Sequence, residues 1–193
     1  MDKKLEINEL CNTIENCTLC RLSETRIKTV PGMGNIESKI LVVGEGPGEE
    51  EDKSGIPFVG KAGQLLTKIF EAVEFDREKD MFITNIVKCR PPENRNPEKD
   101  EIALCSPYLF YIIEIMKPSI IITLGNAATK FFLDKKDGIS KLRGNVYDWN
   151  DIKVIPMYHP SYIVRNERNE NSSIIKKQTW QDIKLVKNLY NTL

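Results

Sequence analysis

FITNIVKCRPPENRNPEKDEIALC, residues 82–105, decides the fold. Its apolar opening, residues 82–87, is interrupted only by Thr84 and Asn85 and stops at Lys88-Cys89-Arg90-Pro91-Pro92. That is the pattern of a buried strand delivering polar groups at its carboxyl end. Three other runs repeat it: KILVV at 39–43 before Gly44-Glu45-Gly46-Pro47-Gly48, SIIITL at 119–124 before Gly125-Asn126, and IKVIPM at 152–157 before Tyr158-His159-Pro160-Ser161. Helical spacing is predicted between and around them, over 5–16, 62–73, 97–116, 127–133 and 174–193. Strands alternating with helices give an α/β fold, a parallel sheet covered on both faces. The polar, asparagine-rich segment 165–173 reads as a mobile loop, and no internal repeat is visible.

With 193 residues and 40% hydrophobic content, the chain has enough material for one full core, and we expect a single domain over 1–193. Lys and Arg (28) balance Asp and Glu (28), so no global field draws the protein to nucleic acid or to an anionic membrane. Binding to a polyanion must then come from local groups: Lys88, Arg90, Arg95 and Lys99; Lys141 and Arg143; Arg165 and Arg168. The start, MDKKLEINELC, lacks the apolar core of a leader, and no run of about 20 apolar residues occurs. The expectation is a soluble, cytoplasmic monomer with no membrane partner.

Five cysteines in such a chain favour a metal or reactive thiols over a disulfide framework. Cys17 and Cys20 are spaced to address one ion, but a closed site needs four ligands, and Cys89 and Cys105 are the obvious partners. Spacing alone leaves zinc and an iron-sulfur cluster equally open, against ordinary buried thiols. Cys11 stands apart and reads as a half-buried helix residue.

The loops after the strands carry the remaining chemistry. Gly44 to Gly48 has the spacing G-x-G-x-G with a proline inside, so it is not a dinucleotide fingerprint. The acids that follow, Glu49 to Asp52, read mostly as a solvated run. GIPFVGKA at 55–62 nearly spells a phosphate-binding loop but fails twice: Ala62 offers magnesium no hydroxyl, and no strand precedes the segment. Phe58 within it either plugs the core or presents its ring to a planar ligand; by itself the core reading is preferred. His159, the single histidine, ends a strand on the same sheet edge as the Gly44 loop and Asn85. Three loops therefore converge with a carboxylate, an amide and an imidazole.

Taken together, GEGPGEEED (44–52), GIPFVGKAGQLL (55–66), TNIVKCRPPENRNP (84–97) and HPSYIVR (159–165) resemble family 4 uracil-DNA glycosylases over nearly the whole chain. The resemblance implies a three-layer α/β/α sandwich around a central four-stranded parallel sheet. It also implies a [4Fe-4S] cluster on Cys17, Cys20, Cys89 and Cys105, and release of uracil from DNA in base excision repair. By the same resemblance His159 donates to uracil O2, Asn85 reads the O4 and N3–H edge, Phe58 stacks on the flipped base, and Glu51 stands where the methyl group of thymine would collide. The family's usual loop reads GEAPG, and Gly46 replaces its alanine; other uracil glycosylases place a water-activating aspartate at that position, which leaves the adjacent Glu45 or main-chain carbonyls to hold the water. Ser161, Ile163, Val164 and Arg165 are expected to contact DNA, with Ile163 and Val164 as a wedge, or else buried against the last helix. The expected partner is uracil-containing DNA, double- or single-stranded, and a replication sliding clamp is a further candidate. Two rivals stay open: a nucleotide-binding protein using 55–61, and a non-catalytic, cluster-stapled module that binds DNA or uracil without cutting.

Overall fold

A computed structural model describes residues 2–193. Its strands are β1 (Met33–Gly34), β2 (Ile40–Gly44), β3 (Met81–Asn85), β4 (Ile120–Leu124), β5 (Tyr147–Trp149) and β6 (Ile152–Met157). Its helices are α1 (Lys3–Glu15), α2 (Glu49–Ser54), α3 (Lys61–Glu71), α4 (Lys99–Met116), α5 (Gly125–Phe132), α6 (Ile139–Leu142), α7 (Pro160–Arg165) and α8 (Ser172–Tyr190). Among the described residues one six-stranded sheet forms in the order β1-β3-β2-β4-β6-β5. The inner four, β3, β2, β4 and β6, are parallel as expected, while β1 and β5 add short antiparallel edges that the sequence did not announce. At two and three residues these strands are too short to show a period.

The central strands are uninterrupted apolar runs because both faces are covered. Leu41 and Val43 point to one side, with Phe82, Ile121 and Val154, and pack on Ile7, Leu10 and Ile14 of α1, Leu109 and Ile112 of α4, and Ala128 and Phe132 of α5. Ile40 and Val42 point to the other, with Ile83, Ile120, Ile122 and Ile155, against Leu66 and Phe70 of α3 and Ile183 and Val186 of α8. A period of two within each strand thus makes the sandwich. In α4, Pro107 cannot donate to the Ala103 carbonyl, and the Ser106 hydroxyl donates there instead (3.3 Å), so the helix carries Cys105 without a break.

From β2 the chain moves to β3 on one side and then crosses to β4 on the other. The loops after β2 and β4 therefore diverge, and a crevice opens between them at the carboxyl edge, where open α/β sheets place ligands.

Several expectations change at this level. The 160–165 stretch is the helix α7 rather than a loop, and 49–54 is the helix α2. Asp52 is not a solvated acid: it is buried and accepts from the Ile27 N–H (2.9 Å), pinning the segment before β1. The basic groups also thin out. Lys88 is buried, Arg143 is bound to Asp182 of α8, and Arg95 donates to Glu101 (2.9 Å). Arg165 remains exposed. Among the described residues no helix is long and apolar enough to cross a membrane.

Candidate active site

Parallel pairing sets Gly44 of β2 beside Asn85 of β3, so the glycine loop and the amide leave the sheet together. Gly44 is required there: a Cβ would lie 2.3 Å from Asn85 Oδ1 and 2.6 Å from Phe58 Cζ. Asn85 is buried, yet among the described residues neither its Nδ2 nor its Oδ1 has a hydrogen-bond partner, and Glu45 Oε1 is in the same condition. Orphaned polar atoms of this kind cost about 1–3 kcal/mol each unless a ligand or water satisfies them. Burial also raises the Glu45 carboxyl above its ordinary pKa. Its own main-chain carbonyl accepts from the Val87 N–H (3.2 Å).

Phe58 holds a left-handed backbone (φ 53°), a conformation a bulky residue adopts only when its surroundings impose it. Two features impose it. Arg77 donates to the carbonyls of Phe58 (3.0 Å) and Pro57 (2.8 Å), and Gly63 of α3 lets the Phe58 main chain lie where a Cβ would come within 1.9 Å. The ring is buried in the core, as the core reading expects, and it also lines the cleft, 5.8 Å from the His159 ring.

His159 caps α7. The Ser161 N–H donates to its Nδ1 (3.1 Å), so Nδ1 is the bare nitrogen and the proton sits on Nε2. The imidazole is neutral at physiological pH, its pKa lowered to about 4 by burial and then by the Arg165 charge, with Glu51 opposing. Gly125, at φ 86°, brings the turn after β4 to within 3.0 Å of the His159 Cβ, measured from where a Cβ would sit. Carboxylate, amide, aromatic ring and imidazole line one cleft of about 790 Å³, ample for a pyrimidine.

Glu51 also lines the cleft, but its oxygens are engaged: one accepts from the N–H groups of Val59 (2.8 Å) and Gly60 (2.9 Å), the other from Gly48 (3.2 Å). The carboxylate braces the two loops against each other. It also occupies the amides that a phosphate cradle would need, which disfavours the nucleotide-binding rival. At Gly46 a Cβ would meet Val87 Cγ2 at 2.9 Å, so the missing methyl matches close packing in this chain.

On α7, Ser161 and Arg165 line the cleft, with Arg165 donating to Ser161 Oγ (3.1 Å). The expected wedge is corrected in part. Ile163 is buried with Tyr158 and Ile175 under α8, because the stretch coils into a helix and turns that residue inward; Val164 is half-buried. Tyr162, which the sequence reading passed over, is exposed, lines the cleft and packs against Tyr158 with ring centroids 5.1 Å apart. Arg77 was likewise missed, for a single arginine in a loop gives no local sign of what its guanidinium will hold.

Cys17, Cys20, Cys89 and Cys105 line a second, small cavity of about 10 Å³, and Cys11 does not. Donors already address two of the sulfurs: the Lys88 N–H reaches Cys105 Sγ (3.3 Å) and Arg26 Nη1 reaches Cys89 Sγ (3.3 Å). Among the described residues no three His, Cys, Asp or Glu side chains converge tightly enough for a single ion. Four thiols around one cavity, two of them receiving hydrogen bonds, form a donor set that suits either a zinc ion or an iron-sulfur cluster.

The fold, with its crevice at the point where strand order reverses, defines a uracil-DNA glycosylase-like protein: residues 31–184 match the family model of the uracil DNA glycosylase superfamily, and the chain belongs to it. Within that superfamily it groups with Type-4 uracil-DNA glycosylases. It is 50% identical to that of Thermotoga maritima over 84% of this chain and 85% of the relative. It is 46% identical to that of Saccharolobus solfataricus over 81% and 76%, and 42% identical to that of Sulfurisphaera tokodaii over 98% and 86%.

Proposed function

We propose that this chain is a uracil-DNA glycosylase that receives an everted uracil in the cleft at the sheet edge and hydrolyses the bond from uracil N1 to deoxyribose. The observation that carries this reading is the Asn85 amide, buried with donor and acceptor both unpartnered, in the same cleft as a neutral histidine. A primary amide presents one donor and one acceptor side by side, which matches uracil O4 and N3–H and mismatches cytosine. Membership of the superfamily and the Type-4 relatives support the same conclusion.

As the glycosidic bond breaks, the sugar gains positive charge and the base leaves as an anion. A neutral imidazole with its proton on Nε2 and its Nδ1 fixed by Ser161 is a preorganised donor for the O2 of that anion. Phe58 stacks on the base, and the braced Glu51 forms the wall on the C5 side, where a methyl group would collide. Gly46 lets the base approach the main chain, and Glu45, its carboxylate partly desolvated, holds the attacking water. Ser161 and Arg165 grip the DNA backbone beside the cleft, and Val164 borders the extruded nucleotide.

Cys17, Cys20, Cys89 and Cys105 would hold a [4Fe-4S] cluster. When bound, the cluster is a structural staple and takes no part in the hydrolysis. The staple joins the segment after α1 to the Cys89 turn and to α4.

Release of free uracil from a labelled oligonucleotide, run beside the visible spectrum of the freshly purified protein, tests both halves. Uracil release from U:G duplex and from single-stranded DNA, with none from the cytosine control, is the expected result. DNA or uracil affinity without release would establish the non-catalytic module instead.

A further inference from the structure

We propose that Lys88 is a positioning residue that couples the four-cysteine centre to the uracil pocket, holding Asn85 in place with an ammonium whose charge is balanced by cysteine sulfur. The inference rests on the glycosylase reading and deepens it.

Lys88 stands between the two sites in sequence and in space. Three residues before it is Asn85, one residue after it is Cys89, and its own N–H donates to Cys105 Sγ (3.3 Å). Its side chain turns back along the strand end. Nζ donates to the Asn85 carbonyl (2.5 Å) and to Thr84 Oγ1 (2.7 Å), while the Thr84 hydroxyl donates onward to the Pro31 carbonyl (2.6 Å). The Lys88 carbonyl accepts from the Val30 N–H (2.7 Å), so the residue is held at every polar atom. These bonds help fix the main chain that carries the recognition amide, whose own side chain has no hydrogen-bond partner among the described residues.

The ammonium is 1% exposed, and among the described residues no carboxylate lies within pairing distance of it. A buried charge without a counter-charge is costly enough to be rare. Lys88 instead lines the cavity of Cys17, Cys20, Cys89 and Cys105. The four thiolates that would hold a cluster, together with its iron and sulfide, carry net negative charge, which would supply the missing counter-ion. Two acceptors on the pocket side and sulfur on the other thus make one residue answer to both sites.

The test compares wild-type, Lys88→Met and Lys88→Arg holoproteins by iron content and visible spectrum, cluster reduction potential, affinity for free uracil, and single-turnover cleavage. Lys88→Met is expected to keep the cluster and to shift its potential to more negative values, since a nearby positive charge is gone. It should also bind uracil about tenfold more weakly, the order of one charge-assisted hydrogen bond. Lys88→Arg keeps the charge and hence the potential, but its larger head displaces the Asn85 carbonyl and weakens uracil binding. In an Asn85→Ala background the Lys88→Met change should have little further effect on uracil affinity. Unchanged uracil affinity in Lys88→Met overturns the positioning role, and an unchanged potential overturns the charge balance. Should Lys88→Met fail to fold, Thr84→Val removes one acceptor while leaving the charge; normal uracil affinity in that variant and in Lys88→Arg overturns the proposal. Loss of uracil release by the wild type itself would count against the glycosylase reading and not against this one.

Discussion

On the proposed function, His159 is the residue on which rate should depend most, and its environment sets how. A donor aimed at developing negative charge contributes about 10²–10³ in rate. His159→Asn should therefore lose that much in single-turnover cleavage, and Glu45→Gln should lose less, because so dissociative a reaction asks little of its water-activating group. Equal or greater loss in Glu45→Gln would reverse the ranking. The same histidine makes a clean pH probe, being the only one in the chain. Its pKa is lowered to about 4, against about 6.5 for a free imidazole, so the folded state resists its protonation. By linkage, its contribution to stability is complete above about pH 6.5 and is lost as pH falls toward about 4. A single imidazole resonance followed by NMR should hold its neutral position through pH 6 and move only near 4. In Arg165→Ala the midpoint should rise, since one of the two causes that depress it has been removed.

At the scale of the element, the Phe58 segment shows how loops with little regular structure are made rigid. Arg77 holds its carbonyls, Glu51 its amides, and α3 passes close enough to touch its main chain only because residue 63 is glycine. A methyl group at Gly63 overlaps the Phe58 carbonyl group, and the loop must shift to admit it. Gly63→Ala should cost on the order of 1–3 kcal/mol in chemical denaturation, as overpacking does. If Phe58 stacks on the base as proposed, Gly63→Ala should also raise KM for uracil-containing DNA by moving that ring. A normal KM together with the stability loss would leave Phe58 as a core residue alone. In α7, the turn that presents His159 also buries Ile163 and exposes Tyr162, so the helix rather than its hydrophobicity decides which side chain faces the cleft.

For the molecule as a whole, the four-cysteine centre brings the segment at 17–26 against the Cys89 turn and α4. The rest of the amino-terminal region has its own anchorage: Ile7, Leu10 and Ile14 sit in the main core, and Arg21 pairs with Glu101 (3.0 Å) at the start of α4. The Glu101 carboxyl, held down to about 2 chiefly by hydrogen bonds from Arg95, stays ionised through the working range; its stabilisation is present above the ordinary carboxylate pKa and is lost only as pH falls toward 2. Removal of iron by chelation should therefore loosen residues 17–26 and the Cys89 turn while leaving the sheet intact. Limited proteolysis should show new cleavage there with most of the circular-dichroism signal retained. Global unfolding on chelation would make the staple essential to the core itself.

The parallel core, the sheet edge that bears the site and the two cysteine pairs were legible in the chain, because each is written in local signals: apolar runs of strand length, glycine loops at their ends, and thiol spacing. Asn85, His159 and Phe58 stood out because a polar or aromatic group at a strand end is visible within a few residues. What the sequence could not decide was which partner each side chain would meet. Burial of Ile163, the use of the Glu51 oxygens on three amides, the clamp from Arg77, the unpartnered Asn85 amide and the enclosed Lys88 ammonium all depend on how loops and elements pack, which no local pattern of residues states. Such pairings follow from how helices and sheet close on one another, and only the packed tertiary structure sets them.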